Sequence, residues 1–153
     1  MIKILFICHG NICRSPMAQM MLTQKVNDLK INNQFFIESK ACSSEEIGNG
    51  IYYAAKNTLI KHNINLIPHY ASKFTKEDYY NYDYILCMDD SNIRLLNRIC
   101  PDVNDKYKLL LDYTDKKGEV SDPWYTRNFE VCYNDIEKGI NGFLSYLKEN
   151  KKI

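Results

Sequence analysis

Ile2-Lys3-Ile4-Leu5-Phe6-Ile7-Cys8-His9-Gly10-Asn11-Ile12-Cys13-Arg14-Ser15-Pro16 reads as an apolar strand, a tight polar loop and the start of a helix. A cysteine, five residues, an arginine and a hydroxyl residue sit where the strand must turn. Successive backbone N–H groups of such a loop point inward as a nest, and the helix that follows adds its positive end. A thiol in that field ionises more readily than a free one. Arg14 brings a planar fork that can hold two oxygens of one tetrahedral oxyanion. Gly10 and Asn11 are residue types that tolerate the left-handed backbone a loop around an anion requires. Ser15 reads as the N-cap and Pro16 as a first-turn proline. The pattern implies nucleophilic attack by Cys8 on a phosphate ester.

Outward from this loop, strands are expected over 2–7, about 35–40, 83–88 and 107–110. Helices are expected over 15–30, 51–62, 75–80, 91–98 and 128–149, with a long loop before the last. Strands alternating with helices predict an α/β fold, a three-layer α/β/α sandwich on a parallel sheet, in which ligands bind beyond the carboxyl ends of the strands. Cys8 lies at such an end. The stripe Phe129, Cys132, Ile136, Ile140, Phe143, Leu144 and Leu147 marks a core-facing final helix. Gly139 and Gly142 weaken that helix by roughly 1 kcal/mol each against alanine, so tertiary contact must hold it.

The 153 residues are expected to form a single domain, 1–153, with 45% hydrophobic and 25% charged residues typical of a soluble globular protein. A net charge of +1 argues against bulk electrostatic binding to nucleic acid. No run is long enough to span a bilayer, and Met1–Cys8 is too short and too soon polar for a secretory signal. Six cysteines without a secreted framework point to free thiols in a reducing cytoplasm. His9, His62 and His69 are scattered and no paired CxxC occurs, so neither zinc nor another cofactor is expected. A monomer is expected. Tyr79, Tyr80, Tyr82 and Tyr84 read as a packed surface strip; Asp89, Asp90 and Asp102 read as caps and turn residues.

The chain resembles the low-molecular-weight protein tyrosine phosphatases. The resemblance rests on Cys8–Pro16, on Asp122-Pro123-Trp124-Tyr125, on Thr75–Asp78 and on Asp83–Asn92, and runs over nearly the whole chain. It implies a four-stranded parallel sheet with the phosphate-binding loop, His9 to Cys13, after the first strand. It implies Cys8 as nucleophile, Arg14 as phosphate clamp, Ser15 as a hydroxyl donor to the sulfur and Asp122 as general acid. On the residues alone, Asp-Pro is also a common turn opener. The substrate implied is a phosphotyrosine protein or peptide, and the product inorganic phosphate. Trp124 and Tyr125 would wall the cleft, their flat faces favouring a phenyl ring.

Where many members carry another aromatic, Ser44-Glu45-Glu46-Ile47-Gly48 puts Glu45, which would disfavour acidic peptides and favour basic or small substrates. Asn11, Ser43 and His69 resemble a network that supports the loop. Ser72 stands where the family often has an arginine, so the loop is expected to have one support fewer. Cys13 is implied to trap oxidised Cys8 as a disulfide. Cys42, Cys87, Cys100 and Cys132 read as packing residues.

Two alternatives stay open at this point. An arsenate reductase would need a mobile thiol relay, yet Cys87 lies in an apolar strand and Cys100 precedes Pro101. A phosphate-binding module without turnover would need neither nucleophile nor acid.

Overall fold

Strand β1, Ile2–Cys8, sends alternate side chains to opposite faces and buries almost all of them. In the computed structural model, which describes residues 1–153, it pairs in parallel with β2 (Phe35–Ala41) on one side and β3 (Tyr84–Cys87) on the other. Strand β4 (Tyr107–Leu109) adds in parallel to β3, giving four strands in the order β2-β1-β3-β4. Ile4, Phe6 and Cys8 face a core shared with α1 (Arg14–Asp28), α2 (Tyr53–Lys61) and α6 (Phe129–Glu149). Leu5 and Ile7 face a second core with Tyr79, in α3 (Lys76–Asn81), and Leu96, in α4 (Asp90–Ile99). These two cores make the three-layer α/β/α sandwich expected from the alternation of strands and helices.

From β1 the chain first goes outward to β2 and later crosses to β3. The carboxyl end of β1 is therefore a switch point of the sheet, where a crevice opens. No helix is long and apolar enough to cross a membrane.

Local chemistry explains most boundaries. Thr75 and Asp78 form a capping box on α3, and Asp89 and Asn92 form one on α4. The expectation for the first helix is corrected. Helix α1 starts at Arg14, with Cys13 in the cap position, so Ser15 lies inside the first turn and does not cap it. Its hydroxyl is drawn instead to Cys8 and Asn11. A four-residue helix, α5 (Pro123–Thr126), sits within what reads as a long loop. Asp122 caps it and Pro123 opens it. The tyrosine reading is also corrected: Tyr79 and Tyr82 are buried in the second core, and of the four only Tyr80 is exposed. Tyr79 Oη donates to Asp102 at 2.6 Å, which satisfies the phenol on burial.

The glycines of α6 are explained by what crosses over them. A Cβ on Gly142 would lie 2.1 Å from the Tyr113 carbonyl oxygen, and one on Gly139 2.4 Å from Leu110 Cγ. The intrinsic weakness of both positions is the condition for close packing of the helix on residues 110–113. Gly142→Ala should therefore lower stability by about 1–3 kcal/mol, because overpacking outweighs the helix-propensity gain of about 1 kcal/mol. Thermal unfolding checks this; a raised Tm, as expected of Gly→Ala in an open helix, would contradict it.

Candidate active site

Cys8 ends β1 with its sulfur at the floor of a crevice of about 480 Å³, open mouth included. The loop curls round it because Asn11 takes the left-handed conformation, φ 61°. Gly10 does not, correcting that part of the expectation. Its lack of a Cβ leaves room for Glu46, whose Cγ would lie 3.2 Å from one.

Two groups meet the sulfur. Asn11 N–H donates to Cys8 Sγ at 3.3 Å, and Ser15 Oγ lies 3.0 Å from it. Asn11 Nδ2 donates to Ser15 Oγ at 2.7 Å, which occupies an acceptor position of that oxygen and turns its O–H towards the sulfur. Cys13 is buried beside the nucleophile. Burial and the neighbouring Cys8 push its thiol up to about 12, so at neutral pH it is a protonated thiol.

Arg14 is 2% exposed, an unusual degree of burial for a guanidinium. Its Nη1 donates to Asp89 Oδ2 at 2.7 Å and to the Val120 carbonyl at 2.9 Å. Nη2 donates to Asp122 Oδ2 at 3.4 Å. Burial disfavours the cation, but Cys8, Asp122 and Asp89 outweigh it and raise the pKa of Arg14. Burial likewise pushes Asp89 up, yet the hydrogen bonds from Ser91 and Arg14 prevail and hold its carboxyl below the ordinary 3.8. With Nη1 fixed from behind, the rest of the fork faces the crevice, which Arg14 lines.

Asp122 comes from the far side. Its Oδ1 accepts the Trp124 N–H at 3.0 Å, leaving Oδ2 as the oxygen beside Arg14 and the mouth. Trp124 and Tyr125 line the same crevice as half-exposed and exposed rings. His9, Gly10, Ile12, Glu45 and Glu46 line it too. His9 Nε2 lies 3.1 Å from Glu45 Oε2, so the part of the lining formed by His9, Glu45 and Glu46 is polar.

Both residues expected to support the loop bond to it. His69 Nε2 donates to the Asn11 carbonyl at 2.7 Å, as expected. Ser43 does not touch Asn11; its hydroxyl donates to the His9 carbonyl at 2.9 Å. The serine on Asn11 is Ser39, which accepts from Nδ2 at 3.0 Å and donates to Gln19 at 2.6 Å. Ser39 lies within β2 and Ser43 two residues beyond its end, so the first meets Asn11 and the second His9. At Ser72 the backbone N–H donates to Asn11 Oδ1 at 3.2 Å, a bond that needs no particular side chain.

Sequence reasoning also missed the second role of Asp89. A signal existed, since Asp89 stands just beyond the carboxyl end of β3, next to the switch point. No group of three or more His, Cys, Asp or Glu is disposed to hold a metal ion.

Asp89→Ala should cost roughly 3–5 kcal/mol, because it strands a buried charge. Since the folded pKa of Asp89 is depressed, its stabilisation is full above the ordinary 3.8 and is lost as pH falls through the lower folded value. Denaturant unfolding from pH 7 to pH 3 checks this. The gap between wild type and variant should narrow towards acid; a gap independent of pH would contradict the assignment.

Comparison with known proteins agrees with this geometry. A family model described as low molecular weight phosphotyrosine protein phosphatase matches residues 3–153. The low molecular weight phosphotyrosine protein phosphatase of Mus musculus is 41% identical over 148 residues, 93% of each chain. Among solved structures, YfkJ from Bacillus subtilis superposes with a TM-score of 0.94 at 31% identity, covering 99% of this chain and 97% of that one. The low molecular weight protein tyrosine phosphatase SP-PTP from Streptococcus pyogenes gives 0.86 at 34% identity, covering 96% and 93%. With a parallel sheet that ends in a cysteine-bearing anion loop, the chain belongs to the low molecular weight phosphotyrosine protein phosphatase family, hydrolases of phosphate monoesters.

Proposed function

We propose that residues 1–153 act as one monomeric phosphatase domain in the cytoplasm, hydrolysing phosphotyrosine in proteins or peptides, and aryl phosphates, through a phosphocysteine and without a metal. The observation that carries this reading is the convergence of Cys8, Arg14 and Asp122 on one crevice. The nucleophile must be a free thiol, a state that a reducing compartment favours.

The phosphoryl group sits in the loop His9 to Cys13, its non-bridging oxygens held by backbone N–H groups and the open side of the Arg14 fork. Cys8 sulfur attacks phosphorus in line, the ester P–O bond breaks, and the Asp122 carboxyl gives its proton to the departing oxygen. Fixed donors around the equatorial oxygens stabilise the spread charge better than water does. In the second half, Asp122 takes a proton from water as that water attacks phosphorus. The P–S bond breaks, and inorganic phosphate leaves with Cys8 again a thiolate. Ser15, donating to the sulfur, stabilises it as leaving group.

Trp124 and Tyr125 favour an aromatic leaving group over an alkyl one by stacking on the phenyl ring. Glu45 and Glu46, in the same lining, favour basic or small substrates. An arsenate reductase finds less support, since Cys87 and Cys100 are fully buried and offer no relay to the surface.

Hydrolysis of p-nitrophenyl phosphate without added metal tests the reading. Cys8→Ser should abolish turnover, and retention of full activity would end it. Asp122→Ala should slow turnover by about 10²–10⁴ while vanadate still binds. Unchanged turnover would remove the acid assignment.

A further inference from the structure

Arg127 ends α5 in the left-handed conformation, φ 59°, where an asparagine or glycine fits with less strain. Although it lies at the surface, its side chain is held by two hydrogen bonds and three aromatic rings. Nη2 donates to Tyr52 Oη at 2.8 Å and Nη1 to the Trp124 carbonyl at 3.4 Å. The guanidinium carbon stands over three rings, 5.4 Å from the centroid of Tyr52, 5.8 Å from Trp124 and 5.7 Å from Phe129. Trp124 meets Tyr52 edge-on at 5.0 Å, and Phe129 stacks on it at 5.9 Å. Arg127 does not line the crevice. Its position is that of a joint, not of a substrate contact.

The joint connects two functional segments. The Tyr52 N–H donates to the Ile12 carbonyl of the anion loop at 2.8 Å. The Arg127 N–H donates to the Pro123 carbonyl at 2.9 Å, closing the turn that Asp122 caps. A path of short contacts therefore runs from Ile12 through Tyr52 and Arg127 to the residue next to Asp122. The other tie across the mouth is the Arg14–Asp122 contact, and at 3.4 Å it is long.

We propose that Arg127 is a positioning residue, which through Tyr52 fixes the segment Asp122–Arg127 on the anion loop so that Asp122 reaches the leaving oxygen. The charge, the fork and the aromatic box act together. The cation is held over π faces while its N–H groups bridge a side chain of one segment and a carbonyl of the other. This rests on Asp122 as the general acid.

The test is the dependence of kcat/KM on the leaving group, measured with aryl phosphates ranging from weakly to strongly activated. Protonation matters most for the poorest leaving group, so a displaced acid steepens the dependence, whereas a fault in binding lowers all substrates alike. Arg127→Asn suits the left-handed backbone and removes the clamp. It should lose about tenfold on phenyl phosphate and about twofold on an activated dinitrophenyl ester, with the inhibition constant for vanadate and the Tm unchanged. Tyr52→Phe should move the same way by less, and Arg127→Lys should recover part of the loss.

Asp122→Ala is measured alongside. If it fails to steepen the leaving-group dependence, the acid assignment itself is wrong. If it does and Arg127→Asn does not, or if vanadate binding weakens in parallel, the clamp is refuted.

Discussion

Asn11 carries the constraint on which the site depends. A buried, left-handed asparagine makes the chain curl, and five hydrogen bonds hold it there: its N–H to Cys8, its Nδ2 to Ser15 and Ser39, and its oxygens taking donors from Ser72 and His69. The backbone conformation is unfavourable by itself and persists because its surroundings determine it from every side. Two of those surroundings, β2 and the segment before α3, are distant in sequence, and the first turn of α1 adds a local one. The loop is thus shaped by the assembled fold, and it offers its amides to an anion without having to reorganise at the moment of reaction.

A second buried polar group is organised in the same way. Arg14 inside an apolar core would be costly if unpaired, and Asp89, the Val120 carbonyl and Asp122 offset that cost. The result is a guanidinium with no freedom to swing, its free edge facing the mouth. Asp89 serves two ends at once, capping α4 with Oδ1 while Oδ2 holds the arginine. Stability of the helix layer and orientation of the clamp therefore share one carboxylate. On the far side, α5 presents Asp122 from a single turn, and a turn that short relies on contacts outside itself for its position.

The architecture is legible in the sequence because its causes are local or periodic. The Ile2–Ile7 run, the alternation of strands and helices and the stripe of α6 each map onto one element, and every expected strand and helix is present within a few residues. Cys8 and Arg14 are legible because chemistry dictates their type and spacing at a strand end, whereas Asp122, a common turn opener on the residues alone, is legible through the resemblance to the phosphatase family. What escapes depends on three-dimensional proximity. Ser39 and Ser43 both reach the loop, and the folded register decides which of its residues each one meets. Asp89 looks like any helix cap until the sheet brings Arg14 beside it. Arg127 looks like an ordinary surface arginine until Tyr52 is packed against it. Gly139 and Gly142 look like weak points in a helix, and only the crossing of residues 110–113 explains them.

Rapid denaturing quench of the Asp122→Ala variant during turnover of an aryl phosphate, followed by mass spectrometry of the peptide that carries Cys8, probes the covalent chemistry at its source. The account predicts phosphate on Cys8 sulfur, in a hydrolysable adduct that is absent from Cys8→Ser. Phosphate on another residue, or turnover in which no adduct on Cys8 ever forms, would contradict it.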